Sequence, residues 1–326
     1  MRAVNAAPNV RNADDPTAIA EAAELIRAGR LVAFPTETVY GLGANALDPA
    51  AVARIFDVKG RPATNPLIVH VASVEAAREL ATNWPEVADR LAERFWPGPL
   101  TLVVEKSDRV PGIITANGPT VGLRVPAHPA ALALLKAADV PIAAPSANRS
   151  EEVSPTTAQH VLDSLGDRVD LILDGGPTTV GIESTVLDVT QTPRILRPGM
   201  VMRTDLLTVL RALSWKLDGA HQIARSPGHM PRHYAPRARV IKVPRGCVPH
   251  LREDEGALVW ASWPQGRVIL MPRDVEGYAA RLYAALRELD APSVRRIYVE
   301  CPPKRDDWAA IHDRLRRAAA TKEDAS

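Results

Sequence analysis

Asp48-Pro49-Ala50-Ala51-Val52-Ala53-Arg54-Ile55-Phe56-Asp57-Val58-Lys59-Gly60-Arg61-Pro62-Ala63-Thr64-Asn65-Pro66-Leu67-Ile68-Val69-His70-Val71 reads as a helix, a loop and a strand in succession. Asp48 is a helix N-cap with Pro49 at the first helical position, and Val52, Ile55 and Phe56 form an apolar stripe. Gly60 stands where a left-handed cap ends a helix. Leu67 to Val71 is a short apolar strand. The loop from Lys59 to Leu67 carries two cations, an amide and two ring-locked prolines, which suits a preorganised anion site better than a solvated surface. Lys59 has a second reading, as a last-turn cation complementing the helix dipole, worth roughly 0.3–1 kcal/mol. That reading leaves Arg61 and Asn65 unexplained.

The same alternation extends in both directions. Upstream, Asp15 caps a helix with Pro16 at its first position, Gly29 ends it, and Leu31 to Phe34 is a strand. It runs into Pro35-Thr36-Glu37-Thr38-Val39-Tyr40-Gly41-Leu42-Gly43, a polar cluster at a strand end, where open α/β sheets put ligands. A turn whose Thr side chains bond their own backbone is the other reading of this run. Downstream, helices are expected over 73–81 and 84–95, a rigid turn at Trp96-Pro97-Gly98-Pro99, and a strand over 100–104. The strand in 119–126, which includes Thr120, carries Arg124 among apolar neighbours, and a guanidinium is rarely inside without an anionic partner. His70 fits either a satisfied core histidine or a site residue. A helix over 129–138 leads to a strand over 141–144, which ends in Pro145-Ser146-Ala147-Asn148-Arg149-Ser150. Ser154 is read as N-cap of a helix to Leu165, and a helix N-terminus is also an anion site. Strands over 171–173, 182–188 and 195–199 complete a mostly α/β sheet.

After a helix over 204–213 the periodicity stops. The run Ser226-Pro227-Gly228-His229-Met230-Pro231-Arg232-His233-Tyr234-Ala235-Pro236 is too dense in His, Met, Arg and Tyr for a flexible linker, and the expectation is an active-site lid. From Ala238 a second, small α/β unit follows, with strands near 240–243, 258–260, 268–270 and 297–299 and helices over 275–289 and 308–319. The expected division is 1–213, a linker over 214–237, and 238–326. With 326 residues, 46% hydrophobic and 24% charged, the chain suffices for two domains with proper cores. A formal charge of +2 permits an anionic substrate but is no nucleic-acid coat. Two cysteines without CxxC spacing, no apolar leader in Met1 to Pro16 and no membrane-length run give a cytoplasmic expectation.

Familiar catalytic motifs are absent. There is no Walker A loop, Gly41-Leu42-Gly43 lacks the third glycine of a dinucleotide fingerprint, and no GxSxG elbow occurs. His229 and His233 are four apart, but Pro231 between them breaks helical metal spacing. What remains is a cationic, hydroxyl-rich set with little acid–base equipment, suited to phosphoryl or nucleotidyl chemistry. These residues alone do not name a substrate.

Seven runs, taken in order, resemble the threonylcarbamoyl-AMP synthases built on the YrdC-like fold: FPTETVYGLG (34–43), KGRPATNPL (59–67), FWPGPLT (95–101), GLRVP (122–126), APSAN (144–148), ESTV (183–186) and LRPG (196–199). The run ending in His-Tyr-Ala-Pro resembles the linker of the family's longer, two-domain branch. The resemblance implies a twisted open sheet of YrdC-like type, the linker, and a small Rossmann-like α/β C-terminal domain. It also implies synthesis of threonylcarbamoyl-AMP and pyrophosphate from L-threonine, bicarbonate or CO2, and ATP. A separate transferase complex would then use the product to modify a tRNA adenosine beside the anticodon.

Carried over residue by residue, the resemblance gives Thr38, His70, Arg124 and Ser184 to threonine, with Arg124 pairing its carboxylate. Lys59, Arg61 and Asn65 would hold the triphosphate, Lys59 and Arg61 also acting in catalysis. Thr120, Ser146, Ser154, Arg197 and Tyr234 would complete the ATP site, with backbone contacts from Ala144. Mg²⁺ would arrive with ATP rather than in a protein cage. Two other readings are an RNA-binding module of the same fold and a carbamoyl-transfer module like those of hydrogenase maturation proteins. Near-neutral charge and 4% aromatics argue against the first. The second would carry zinc-finger cysteines and an acylphosphatase segment, which this chain lacks.

Overall fold

A computed structural model describes residues 9–217, 233–261 and 266–320. The larger sheet is built from β1 (Asn9–Asn12), β2 (Val32–Phe34), β3 (Gly41–Asn45), β4 (Ile68–His70), β5 (Ala81–Asn83), β6 (Leu100–Lys106), β7 (Thr120–Arg124), β8 (Ile142–Ala143), β9 (Leu171–Asp174), β10 (Thr185–Asp188) and β11 (Arg194–Arg197). Their spatial order is β1-β9-β2-β3-β8-β4-β7-β6-β10-β11, with β5 on β6. Pairing is mixed: β2 and β9 run parallel, as do β4 and β7, whereas β8 is antiparallel to both β3 and β4.

Both faces of this sheet are covered, and the alternation of side chains shows why. Around β2, Val32 and Phe34 enter one core with Ile26 of α1 (Pro16–Arg27). Leu31 and Ala33 enter the other, with Val52 and Ile55 of α2 (Pro49–Lys59). In β9, Leu171 and Leu173 face the first core and Ile172 the second. The remaining helices of this part are α3 (Val74–Arg78), α4 (Glu86–Phe95), α5 (Pro129–Ala138), α6 (Ala158–Leu165) and α7 (Arg203–Ala212). The expected α/β architecture stands.

A second, wholly parallel sheet is formed by β12 (Arg239–Val243), β13 (Glu255–Val259), β14 (Arg267–Leu270) and β15 (Arg296–Glu300), in the order β12-β15-β13-β14. The helices α8 (Val275–Leu289) and α9 (Ala309–Ala319) pack with it. Its apolar core is not private. Val39, Val153 and Ile182 of the larger part join Leu282, Tyr283, Ile311 and Leu315 in one buried cluster. Among the described residues, no helix is long and apolar enough to cross a membrane.

Local chemistry explains most boundaries. The Asp15 carboxylate accepts from the Thr17 amide and Asp48 from that of Ala50, while Gly60 is left-handed at φ 62°. Three expectations fail. The helix expected from Ser154 begins at Ala158, because Thr157 accepts from the His160 amide and takes the cap. The helix expected over 73–81 stops at Arg78, and Ala81 turns into β5. Gly41 to Gly43, read as the end of the polar cluster that follows β2, belong instead to the central strand β3. Its glycine content reflects crowding, since a Cβ on Gly43 would come 2.8 Å from Phe34 and 2.9 Å from Ile142.

At Gly181 the larger part lies hard against α8. This glycine is left-handed at φ 76°, and a Cβ there would lie 2.4 Å from the Ala280 Cα and 2.5 Å from the Ala279 carbonyl of α8. Neither obstacle can rotate away. Gly181→Ala is expected to cost about 2–4 kcal/mol, adding overpacking to left-handed strain. Gly60→Ala, where nothing lies within 4 Å of the new methyl, should lose only about 1 kcal/mol. Urea unfolding of both variants checks this, and equal losses contradict the close-approach account.

Candidate active site

The converging polar runs meet in a small, half-open cavity of about 60 Å³. Thr36 and Thr38 reach it from the segment after β2, Arg61 from beyond α2, and His70 and Arg124 from the ends of β4 and β7. Ala144, Pro145 and Ser146 follow β8, Glu183 and Ser184 precede β10, Arg197 ends β11, and His233 and Tyr234 close the ring. Thus nine sequence-predicted residues line it: Thr38, Arg61, His70, Arg124, Ala144, Ser146, Ser184, Arg197 and Tyr234. Lys59, Asn65, Thr120 and Ser154 are not among its lining residues.

Those four stand in different relations to it. The Lys59 ammonium is buried and donates to the Ser146 carbonyl at 2.6 Å and to the Asn148 carbonyl, so it fastens α2 to the loop after β8. It sits in the last turn of its helix, as the dipole reading holds, but its donors go to a different segment. Asn65 gives its carbonyl to Arg61 Nε at 3.2 Å, and its buried Nδ2 has no hydrogen-bond partner. Thr120 lies at the start of β7, opposite Glu105. Ser154, fully buried, donates to Glu183 Oε1 at 2.6 Å instead of capping a helix.

Arg124 finds its anionic partner within the chain. Its Nη2 pairs with Glu37 Oε1 at 2.6 Å, Nη1 donates to Thr38 Oγ1 at 3.0 Å and Nε to the Gly98 carbonyl at 3.2 Å. Arg61 donates from Nη2 to the Pro66 carbonyl at 3.0 Å. Arg197 reaches both atoms of Ser184, with Nε on the carbonyl and Nη2 on Oγ, each at 3.1 Å. The Ser184 hydroxyl also shares a 2.8 Å hydrogen bond with Thr101.

Crowded cations in a dry interior set the protonation states. Burial, then the neighbouring Arg61, pulls the Lys59 ammonium well below its ordinary value. Burial, with Arg197 adding and Tyr234 opposing, brings Arg61 down to about 10. His70 falls to about 3 through burial and then Arg124. Burial, followed by Arg61, Lys59, Arg317 and Arg197, lowers His233 too. For Glu183, burial pushes the pKa up while Arg314 and Arg197 push it down, and the net lies below the ordinary carboxylate value. Two neutral imidazoles, each with a buried and unpartnered Nδ1, therefore sit among fixed cations. Such orphaned polar atoms fit a site completed by a polar, anionic ligand.

Sequence reasoning missed four polar contributors, Thr36, Glu37, Glu183 and His233. Glu37 and Glu183 stand inside the quoted runs, and the rule that interior charges come in pairs pointed at both. His233 belongs to the expected lid, whose residues 226–232 lie outside the described ones. The described remainder packs against the site, with the Ala235 amide donating to the Glu151 carbonyl at 2.9 Å.

Comparison with known proteins gives the family. Residues 24–199 match the family described as telomere recombination (Sua5, YciO and YrdC), and residues 201–320 match the threonylcarbamoyl-AMP synthase C-terminal domain. The threonylcarbamoyl-AMP synthase of Pyrococcus abyssi is 44% identical, covering 95% of this chain and 96% of its own. The chain belongs to the threonylcarbamoyl-AMP synthase family. The family's Bacillus subtilis synthase is 41% identical over 94% of each chain. The crystal structure of P. abyssi Sua5 complexed with L-threonine superposes with a TM-score of 0.87 at 42% identity, covering 96% of this chain and 97% of that one.

In this synthase-family site His70 is a neutral imidazole at physiological pH. Its folded pKa of about 3 lies below the ordinary 6.5, so the unfolded chain takes up the proton first as pH falls. Stability is therefore lost as pH drops from about 6.5 towards 3, and His70 has no effect above that window. Imidazole ¹⁵N shifts at pH 5 should show His70 uncharged; an imidazolium signal there contradicts the burial account.

Proposed function

We propose that the chain is an L-threonylcarbamoyladenylate synthase, a nucleotidyltransferase joining L-threonine, bicarbonate or CO2, and ATP into threonylcarbamoyl-AMP and pyrophosphate. The observation that carries this reading is the convergence of Thr38, Arg61, His70, Arg124, Ser184 and Arg197 on one cavity in a chain that spans nearly all of a threonine-binding relative. Threonine is assigned to Thr38, His70, Arg124 and Ser184. Arg124 already shares its fork with Glu37 and Thr38, so the substrate carboxylate joins or displaces those partners. The triphosphate is assigned to Lys59, Arg61 and Asn65, and the rest of the nucleotide to Thr120, Ala144, Ser146, Ser154, Arg197 and Tyr234.

The reaction suits such a site. The threonine amine attacks CO2 and loses a proton, giving a carbamate. A carbamate oxygen attacks the α-phosphorus, and the bond to the β-phosphate oxygen breaks with pyrophosphate leaving. Arg61 and Lys59 offset charge gathering on the phosphates, and the closed pocket keeps water from the labile carbamate. Of the carboxylates next to the site, Glu37 and Glu183 are committed to guanidinium groups, so magnesium is assigned to the incoming ATP, where it offsets phosphate charge.

A cavity of 60 Å³ is far below the roughly 300–1,000 Å³ of small-molecule pockets. We therefore read the conformation as closed, with His233 and Tyr234 withdrawing to admit ATP, the lid role expected of their segment. The buried setting of the cations favours this enzyme over an RNA-binding face. The reading treats 1–213 as catalytic domain, 214–237 as linker and 238–326 as small C-terminal domain, in the cytoplasm, with a tRNA-modifying transferase complex consuming the product.

Incubation with threonine, bicarbonate and ATP, each omitted in turn, should release pyrophosphate only from the complete mixture. Arg61→Ala and Lys59→Ala should each reduce that release at least ~10³-fold, as loss of charge stabilisation at a reacting phosphorus does. Pyrophosphate formed without threonine, or wild-type turnover in both variants, refutes the assignment.

A further inference from the structure

The buried polar cluster that joins the two sheets has a consequence for the site itself. Arg314 of α9 is completely enclosed, and it grips one residue twice: Nε pairs with Glu183 Oε2 at 2.7 Å and Nη2 donates to the Glu183 carbonyl at 3.3 Å. Tyr283 of α8 donates to the same Oε2 at 2.9 Å. Glu183 is the residue before Ser184, whose carbonyl and hydroxyl hold Arg197. Arg197 also lies close enough to Glu183 for each to shift the other's titration. The Arg314 guanidinium sits 5.1 Å from the centre of the Tyr234 ring, which stacks on Tyr283 at 5.7 Å. Asp313 accepts from Arg314 Nη1 at 2.9 Å and from Arg317 Nε at 3.0 Å, and the Arg317 carbonyl accepts from the His233 amide at 3.4 Å.

We propose that Arg314 and Tyr283, supplied by the C-terminal unit, are positioning residues of the active site: they hold the Glu183 carboxylate away from Arg197 and seat Tyr234 over the cavity. The inference rests on the functional reading above. Without Arg314, the buried Glu183 charge needs another cation, and Arg197 is near. Arg197 then turns from Ser184 to Glu183, and Tyr234 loses the guanidinium beneath its ring. The C-terminal unit thus sets the geometry of a site that none of its described residues lines.

A double-mutant cycle on the full chain separates this from a bulk stability effect. Arg314→Met should lower kcat/KM about 100-fold, and Glu183→Gln about 10-fold, since the neutral amide keeps one acceptor oxygen for one of the hydroxyls of Ser154 and Tyr283, while its NH2 donates to the other, which rotates to accept. In the double variant no charge remains to divert Arg197, so its kcat/KM should return to within about threefold of Glu183→Gln alone. Losses that multiply overturn the proposal. Should Arg314→Met not fold, Tyr283→Phe decides: an about fivefold loss that vanishes in the Glu183→Gln background is expected, and an additive loss overturns it. Hydrogen exchange reads the same point without turnover. The amides of 184–186 and 234–235 should exchange faster in the Arg314 or Tyr283 variant while those of β4 do not, and uniform acceleration overturns the proposal. Wild type that makes no pyrophosphate defeats the functional reading alone, since the exchange pattern is independent of it.

Discussion

Burying cations is the constraint on which the rest of this structure depends. Lys59, Arg61, Arg124, Arg197 and Arg314 are all inside, where an unpaired charge costs several kcal/mol. Two of them, Arg124 and Arg314, are matched by the buried carboxylates Glu37 and Glu183. Lys59 and Arg61 are satisfied largely by main-chain carbonyls, which complete hydrogen bonds without cancelling charge. The interior therefore keeps a positive field, and that field explains two neutral imidazoles as readily as it explains affinity for an anion.

The carbonyl partners also tie folding to function. Lys59 can reach the Ser146 and Asn148 carbonyls only when α2 has ended at Gly60 and β8 has delivered its loop, so the helix cap and the sheet register are conditions for the site. Glu183 plays the same part on the other side. It gathers Ser154 from 29 residues before it in the chain, and Tyr283 and Arg314 from 100 and 131 residues after it. Gly181, two residues earlier, lets α8 come close enough for that to happen.

Much of this was legible in the residues. Asp15, Asp48 and Gly60 announced their caps because capping is settled within a few residues. Arg124 announced a buried partner because its neighbours are apolar, and the partner is Glu37. What stayed hidden depends on tertiary choice. Ser154 looks like an N-cap locally, but a distant carboxylate takes its hydroxyl. Gly41 to Gly43 look like the tail of a strand-end cluster, but they form a strand in which Phe34 and Ile142 crowd Gly43. Arg314 carries no local signal, since a helical Arg beside Asp313 ordinarily faces solvent, and only the packing of α9 shows it inside.

The central claim is that uncancelled interior charge at Lys59 and Arg61 recognises the phosphates of a nucleotide. Calorimetric titration of the wild-type chain with ATP, AMP and adenosine in magnesium buffer tests it most directly. The account predicts ATP to bind at least about tenfold more tightly than AMP, and adenosine more weakly still, with the ATP advantage lost in Arg61→Ala. Equal affinity for ATP and adenosine, or an ATP preference that survives loss of Arg61, contradicts it.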